Sequence, residues 1–179
     1  FGDEKNAKLI IKKIVKERNI EDIDTENLVK IANSTKRIFT KKNKATKIFQ
    51  ALRIIVNNEI SELISALSKS CNLLSDNGII ATVTFHSIED KICKFFFKTI
   101  SSHGAVSRYL PVNKGEELAF SLLNNKAITP TSYEIKINPP SRSAKLRAIK
   151  RNNNKKIDTD FLYNKFENLL EIERLSLKL

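Results

Sequence analysis

The sequence has no methionine and no tryptophan, and among its 179 residues only four are glycine, four proline and two cysteine. The glycines (Gly2, Gly78, Gly104 and Gly115) stand too far apart to form a phosphate-cradling loop such as GxGxxG or GxxxxGK[ST]. Cys71 and Cys93 have neither CxxC spacing nor an adjacent histidine, which excludes a disulfide framework and a zinc cluster, so no metal is expected. No apolar run approaches the ~18 residues of a membrane span, and no signal-peptide pattern is read at the start. The expected setting is reducing and cytoplasmic, with no membrane partner. Phe1 stands where a translation start would have methionine, so a trimmed chain is expected.

What is abundant is positive charge. Thirty-two Lys and Arg against twenty Asp and Glu give +12, a balance that favours polyanions through counterion release, nucleic acid first. Lysine outnumbers arginine 24 to 8 and asparagine reaches 18, which looks like drift toward AT-rich codons, so the few arginines carry more weight than the lysines. Two stretches are basic without a single acid: Lys36 to Arg53, and Lys136 to Lys156. Either alone is compatible with a solvated face; two in one chain favour a polyanion site.

The length suits one domain, with or without a smaller subdomain. Ala7, Ile10, Ile11, Ile14 and Val15 recur at helical spacing, so an amphipathic helix is expected to about Arg18. Asp24 or Thr25 then caps a helix through Leu28, Val29 and Ile31, and residues 36–44 form a basic loop. Phe49, Leu52, Val56, Ile60, Leu63, Leu67, Cys71 and Leu74 predict one helix of about seven turns, stopped at Asp76-Asn77-Gly78. Ile79 to Phe85 reads as a buried strand, and Ser87 as the cap of a helix carrying Ile92, Phe95, Phe96 and Ile100. Residues 101–125 read as a long loop or hairpin excursion. Thr131–Ile137 and Ala144–Ile149 are expected as short strands joined by the turn Asn138-Pro139-Pro140, and Thr159 to Leu177 as a final helix. This order suggests an α/β fold, the carboxyl half of a sheet preceded by a helical subdomain.

Three groups of residues could carry chemistry. The strand-to-helix corner gathers His86, Ser87, Glu89 and Asp90 where open α/β sheets bind ligands, although each could equally be a cap or a buried corner group. Gln50, Arg53 and Asn57 share one helix face at steps of three and four, with Arg53 offering a planar fork for phosphate or carboxylate or making a local salt bridge. Arg142, Lys145 and Arg147 crowd a short stretch after a turn. No catalytic residue is assigned.

The segments Ala45-Thr46-Lys47-Ile48-Phe49-Gln50-Ala51-Leu52-Arg53-Ile54 with Val56-Asn57, Phe85-His86-Ser87-Ile88-Glu89-Asp90, Asn138-Pro139 and Arg142-Ser143-Ala144-Lys145-Leu146-Arg147 occur in this order. Together they resemble the bacterial ribosomal RNA small subunit methyltransferase H family, over essentially Phe1 to Arg151. Lys47, Ile48, Ile88, Lys91 and Pro140 depart from the family's usual residues, and Lys47 and Lys91 keep charge while losing bidentate geometry.

The resemblance implies N4-methylation of a cytosine in 16S ribosomal RNA with S-adenosylmethionine. It implies the carboxyl-terminal part of a Rossmann-like class I methyltransferase sheet with a helical insertion. Residues 1–75 would be the insertion and its connecting helix, 76–151 the last strands of the methyltransferase domain, and 152–179 a helical extension. The cofactor loop and its acidic ribose-binding residue would lie in a preceding amino-terminal half, so this chain alone is expected not to bind S-adenosylmethionine and to be poorly soluble. Partners implied are small-subunit ribosomal RNA or the small subunit and that amino-terminal half, with a homodimer left open. The alternative is a non-catalytic RNA-binding remnant of a truncated gene.

Overall fold

The chain is described by a computed structural model covering residues 4, 6–35, 45–102 and 117–176. It divides into two compact units, Phe1–Glu59 and Ile60–Leu179. The expected basic loop at 36–44 lies outside the described residues, as do 103–116 within the expected excursion and residue 177 of the last helix.

In the first unit, α1 (Ala7–Glu17) packs against α2 (Thr25–Ser34), with Ile10, Leu28, Ile31 and Ala32 buried. Asp24 caps α2 as expected, its carboxylate accepting the Asn27 N–H at 2.7 Å. Ile11 and Val15 extend the apolar stripe of α1 but remain exposed.

The expected seven-turn helix is in fact two helices, α3 (Thr46–Val56) and α4 (Glu59–Leu73). The break falls at Asn57-Asn58, where Asn58 takes φ 52°, a left-handed conformation that asparagine tolerates better than most residues. The break also shifts the buried stripe. Ile54 is buried in α3, whereas the expected Leu52 and Val56 are exposed; in α4 the buried positions are Ile60, Ile64, Leu67, Ser68 and Cys71. At 100° per residue, the six steps from Ile54 to Ile60 would turn a continuous helix by roughly 240° from one face to another.

In the second unit, α4 ends at a turn in which Asn77 also takes positive φ (63°) and the Gly78 N–H donates to the Ser75 carbonyl at 2.9 Å. A β-carbon on Gly78 would lie 2.5 Å from Leu74 Cγ and 2.8 Å from the Ser75 carbonyl oxygen, so close approach of helix and strand requires glycine here.

The sheet has three strands in the order β1-β3-β2: β1 (Ile79–Thr84), β2 (Phe120–Leu122) and, between them and antiparallel to both, β3 (Lys145–Arg151). Ile79 faces Lys150 and Thr84 faces Lys145 across one ladder, while Phe120 faces Arg151 across the other. β1 is not the fully buried strand its composition suggested. Ile80 and Thr84 are buried on one face, whereas Ile79 and Val83 on the other are more than half exposed.

Residues 131–137 are not a strand. Ser132–Ile137 is a helix, α6, capped by Thr131, whose Oγ1 accepts the Glu134 N–H at 3.1 Å; a 3-10 turn, Pro139–Ser143, leads on to β3. Thr131-Ser132-Tyr133-Glu134 has the Thr-x-x-Glu spacing of a helix start, outweighing the strand preference of Tyr133, Ile135 and Ile137. The expected hairpin with β3 would also find no free edge on it, because β3 is flanked by β1 on one side and by β2 and the Ile128–Leu146 bridge on the other.

Across the sheet lies α5 (Ser87–Ile100), packed on β1, β2 and β3 with Ile92, Cys93, Phe96, Phe97 and Ile100 buried. Burying side chains of this size stabilises the fold by about 1.5–3 kcal/mol each. The expected final helix is broken into α7 (Asp160–Lys165) and α8 (Glu167–Ser176), because Phe166 turns inward to meet Phe95 edge-on at 5.6 Å. Phe161 stacks on Phe96 at 6.0 Å, so residues after 152 share the aromatic core of the unit.

Two long-range contacts close it. Glu173 of α8, 2% exposed, accepts the Ile60 and Ser61 N–H groups at 2.8 and 2.9 Å and caps α4 from 113 residues away. Arg151, also 2% exposed, donates to the carbonyls of Cys71, Asn153 and Lys155 and sits 5.5 Å from the centre of the Phe120 ring.

Candidate functional site

The corner between β1 and α5 is built by a reciprocal cap. His86 has extended backbone (φ −135°, ψ 165°), and its Nδ1 accepts the Glu89 N–H at 3.4 Å. The Glu89 carboxylate reaches back to accept the Phe85 N–H at 3.0 Å and the His86 N–H at 3.4 Å. The capping residue is therefore His86 and not Ser87, which is the first helical residue and is exposed. A cap must sit outside helical φ/ψ while its side chain turns back, and His86 meets both conditions. Because Nδ1 accepts, the neutral ring carries its proton on Nε2, which lies 3.2 Å from Glu89 Oε1. Burial tends to raise the Glu89 pKa, but the hydrogen bonds from His86 and the Phe85 N–H hold it below the usual carboxylate range.

The next residue ties the helix to the sheet. Asp90 is 9% exposed and accepts Lys145 Nζ at 2.9 Å on one oxygen and Arg147 Nε at 2.8 Å on the other. Lys145 and Arg147 are two apart on β3 and so project to one face. Desolvation tends to raise the Asp90 pKa as well; the bonds and charges of Arg147 and Lys145 outweigh it, and the net shift is downward. The fold thus brings five of the sequence candidates together: His86, Glu89, Asp90, Lys145 and Arg147.

Arg142 stands exposed in the 3-10 turn leading into β3. Gln50, Arg53 and Asn57 belong to the other unit. There Arg53 grips Glu59 with two bonds (Nε to Oε1, 2.7 Å; Nη2 to Oε2, 3.1 Å), and Asn57 Nδ2 donates to the same Oε1 at 3.3 Å. Of the two readings left open for Arg53, the local salt bridge is present, on a side chain 56% exposed; Gln50 is half-buried one turn before it.

The basic stretch from Lys136 to Lys156 is less of a free charged surface than its composition suggests. Arg151 is internal, and Arg147 is bound to Asp90 with its side chain 12% exposed. Lys136, Arg142, Lys155 and Lys156 remain exposed. Glu59 organises the first unit and Arg151 and Glu173 the second, and none was singled out from sequence. Glu59 stands six residues from Arg53, beyond the i+4 spacing of a continuous helix, and Glu173 acts across 113 residues. Neither buried thiol is a nucleophile candidate: desolvation pushes the Cys93 pKa up to about 11 and raises that of Cys71.

The sequence model of the MraW methylase family matches residues 1–152, a stretch that contains the whole corner and both groups of basic candidates. The chain belongs to the MraW methylase family. Curated relatives named Ribosomal RNA small subunit methyltransferase H align with it from Xanthobacter autotrophicus (40% identical over 157 residues, 86% of this chain and 45% of the relative) and from the Wolbachia of Culex pipiens (41% over 155 residues, 84% and 48%). The relative from Allorhizobium ampelinum aligns over 98% of this chain at 36% identity and 52% of its own length. The chain therefore spans about half the length of the curated relatives it matches. The mixed α/β architecture is consistent with a methyltransferase family, and among the described residues no helix is long and apolar enough to cross a membrane.

Proposed function

We propose that this chain is the carboxyl-terminal part of an enzyme that uses S-adenosylmethionine to methylate N4 of a cytosine in small-subunit ribosomal RNA. The family match over residues 1–152, which includes the His86–Asp90 corner, carries this reading. Residues 1–75 act as the insertion and connecting helix, 76–151 supply the last sheet strands, and 152–179 form the helical extension. Two further observations support it. β1 pairs with β3 on one side and with no other strand among the described residues, leaving an edge along which a sheet could continue. Ile79, Val83 and Phe85 next to that edge are each more than half exposed, an apolar surface suited to an amino-terminal half.

The described residues do not fit the cofactor. Gly78 is the sole glycine among them, and the space at its α-carbon is filled by Leu74 and the Ser75 carbonyl, so it opens no cradle. Cofactor binding is accordingly assigned to the amino-terminal half.

What this chain contributes is positioning. Asp90 fixes α5 to β3, and the His86–Glu89 cap fixes the direction in which α5 leaves β1. The corner is thereby held rigid at the end of a strand, where a substrate base would be oriented for in-line transfer. Arg142, exposed at the entry to β3, is the residue assigned to RNA phosphates, whereas Arg53 is engaged by Glu59.

Methyl transfer from labelled S-adenosylmethionine to small ribosomal subunits lacking the modification tests the proposal. The assay compares this chain alone with this chain supplied with the amino-terminal half of the Xanthobacter relative. Transfer is expected with the added half only, giving N4-methylcytidine by mass spectrometry. Methylation at another atom would overturn the assigned reaction, and RNA binding without transfer in either case would favour the non-catalytic alternative.

A further inference from the structure

Away from the corner, α5 carries Lys91, Lys94 and Lys98 at steps of three and four, so the three share one face at rises of about 4.5 and 6 Å along the axis. α7 adds Lys165, whose Nζ lies 5.6 Å from the centre of the Phe95 ring. These four lysines, with Phe95 and Phe166, line a shallow cavity of about 220 Å³ whose walls include no acidic residue. All four lysines are exposed, while Phe95 is half-buried and fixed edge-on against Phe166 at 5.6 Å. None of the four is held in an ion pair among the described residues.

The run of cations is regular, and it lines the cavity over an aromatic floor without an acidic residue among them. Phe95 is fixed edge-on by Phe161 and Phe166, with Lys165 over its ring, while Lys91, Lys94 and Lys98 point to solvent. Their spacing along the helix suits successive phosphates of a polynucleotide. A lipid surface fits less well: Phe95 is recessed between the lysines, so the patch has no protruding apolar group to enter a bilayer.

We propose that the α5–α7 lysine face is a second RNA-binding surface, a track for the phosphate backbone separate from both acid-free basic stretches. It rests on the assignment of ribosomal RNA as substrate and adds where RNA outside the target base is held. The track begins one residue after Asp90, at the corner, and runs along α5 away from it. It would hold the strand flanking the target nucleotide, and contribute to affinity and not to the methyl-transfer step.

The test is the salt dependence of binding between the 179-residue chain and a small-subunit ribosomal RNA fragment, measured by fluorescence anisotropy. Lys94→Gln/Lys98→Gln is compared with the wild type, with Lys94→Arg/Lys98→Arg, and with Lys69→Gln/Lys126→Gln, which removes the same charge from exposed sites elsewhere. Losing two phosphate contacts should lower the slope of log K against log salt by about 1.4, which corresponds to roughly tenfold weaker binding at 0.15 M salt. The arginine pair should restore the wild-type slope, and the Lys69/Lys126 pair should change it by less than half as much. Wild-type binding with an unchanged slope in Lys94→Gln/Lys98→Gln would overturn the track while leaving the ribosomal RNA substrate intact. Equal losses in both glutamine pairs would also overturn it, by showing a net-charge effect. Absence of salt-sensitive RNA binding by the wild type would overturn both the track and the substrate assignment. Lysine-dependent binding to phosphatidylserine vesicles in place of RNA would overturn the choice of partner.

Discussion

Replacing Glu173 tests the most distant contact in the chain. Its carboxylate is the acceptor for the Ile60 and Ser61 N–H groups, and Ile60 is fully buried, so no water can substitute at that amide. Glu173→Ala leaves a buried donor without an acceptor, which costs about 1–3 kcal/mol. It also removes a negative charge from a helix amino end, worth about 0.3–2 kcal/mol. Together the loss should be about 3 kcal/mol. Glu173→Gln keeps one acceptor oxygen but turns an amide N–H₂ toward the second donor, so about half to two-thirds of that loss is expected. Urea unfolding followed by circular dichroism gives the free energies. Hydrogen exchange at Ile60 and Ser61 gives the local readout, and both amides should exchange faster in either variant. A loss under about 0.5 kcal/mol for Glu173→Ala, with unchanged exchange at these amides, would refute the cap.

Three other outcomes follow from the packing. Asp90→Asn should destabilise the fold by roughly 2 kcal/mol at pH 7, less than a fully buried pair would because Lys145 is 42% exposed. Since the folded Asp90 pKa is lowered, its stabilisation is complete above the ordinary value of about 3.9 and fades as pH falls through the folded value, so wild type and variant should converge in acid. Gly78→Ala should cost about 1–3 kcal/mol by overpacking against Leu74 and the Ser75 carbonyl, measured as a lowered urea midpoint at unchanged m. Ile64→Ala should cost about 2–5 kcal/mol and Leu63→Ala clearly less, since Ile64 is fully buried and Leu63 is not; the reverse order would restore the continuous-helix stripe.

What could be read from sequence depended on the range of the interaction. The α2 cap, the strand at residues 79–84, the strand–helix corner and the stop at Asp76-Asn77-Gly78 are local, and each is written in neighbouring residues. The corner candidates were found because they cluster within five residues, but Ser87 was taken as the cap because a hydroxyl is the usual choice, and a histidine serving that role has no such signature. The break at Asn57-Asn58 was hidden by an apolar pattern that ran through it in phase. Only burial distinguishes the two stripes. That three basic residues of the 136–156 stretch (Lys145, Arg147 and Arg151) are structural could not be read there either, because their partners, Asp90 and the Cys71 carbonyl, lie more than fifty residues away.

The placement of β3 between β1 and β2 has a consequence for the time course of synthesis. The strand that joins the sheet is the last of the three to leave the ribosome, so β1 waits for more than sixty residues with neither ladder formed. Until Lys145–Arg151 emerges, Phe120 and Ile80 lack their partners on β3, and these two ladders must close together in one late event. A nascent chain halted before position 145 would therefore lack both the β1–β3 and the β2–β3 ladder. In the cell such products are expected to be chaperone clients, whereas a stop shortly after Arg151 would keep all three strands but lose the carbonyls that hold Arg151, the Phe161 and Phe166 core contacts and the Glu173 cap of α4.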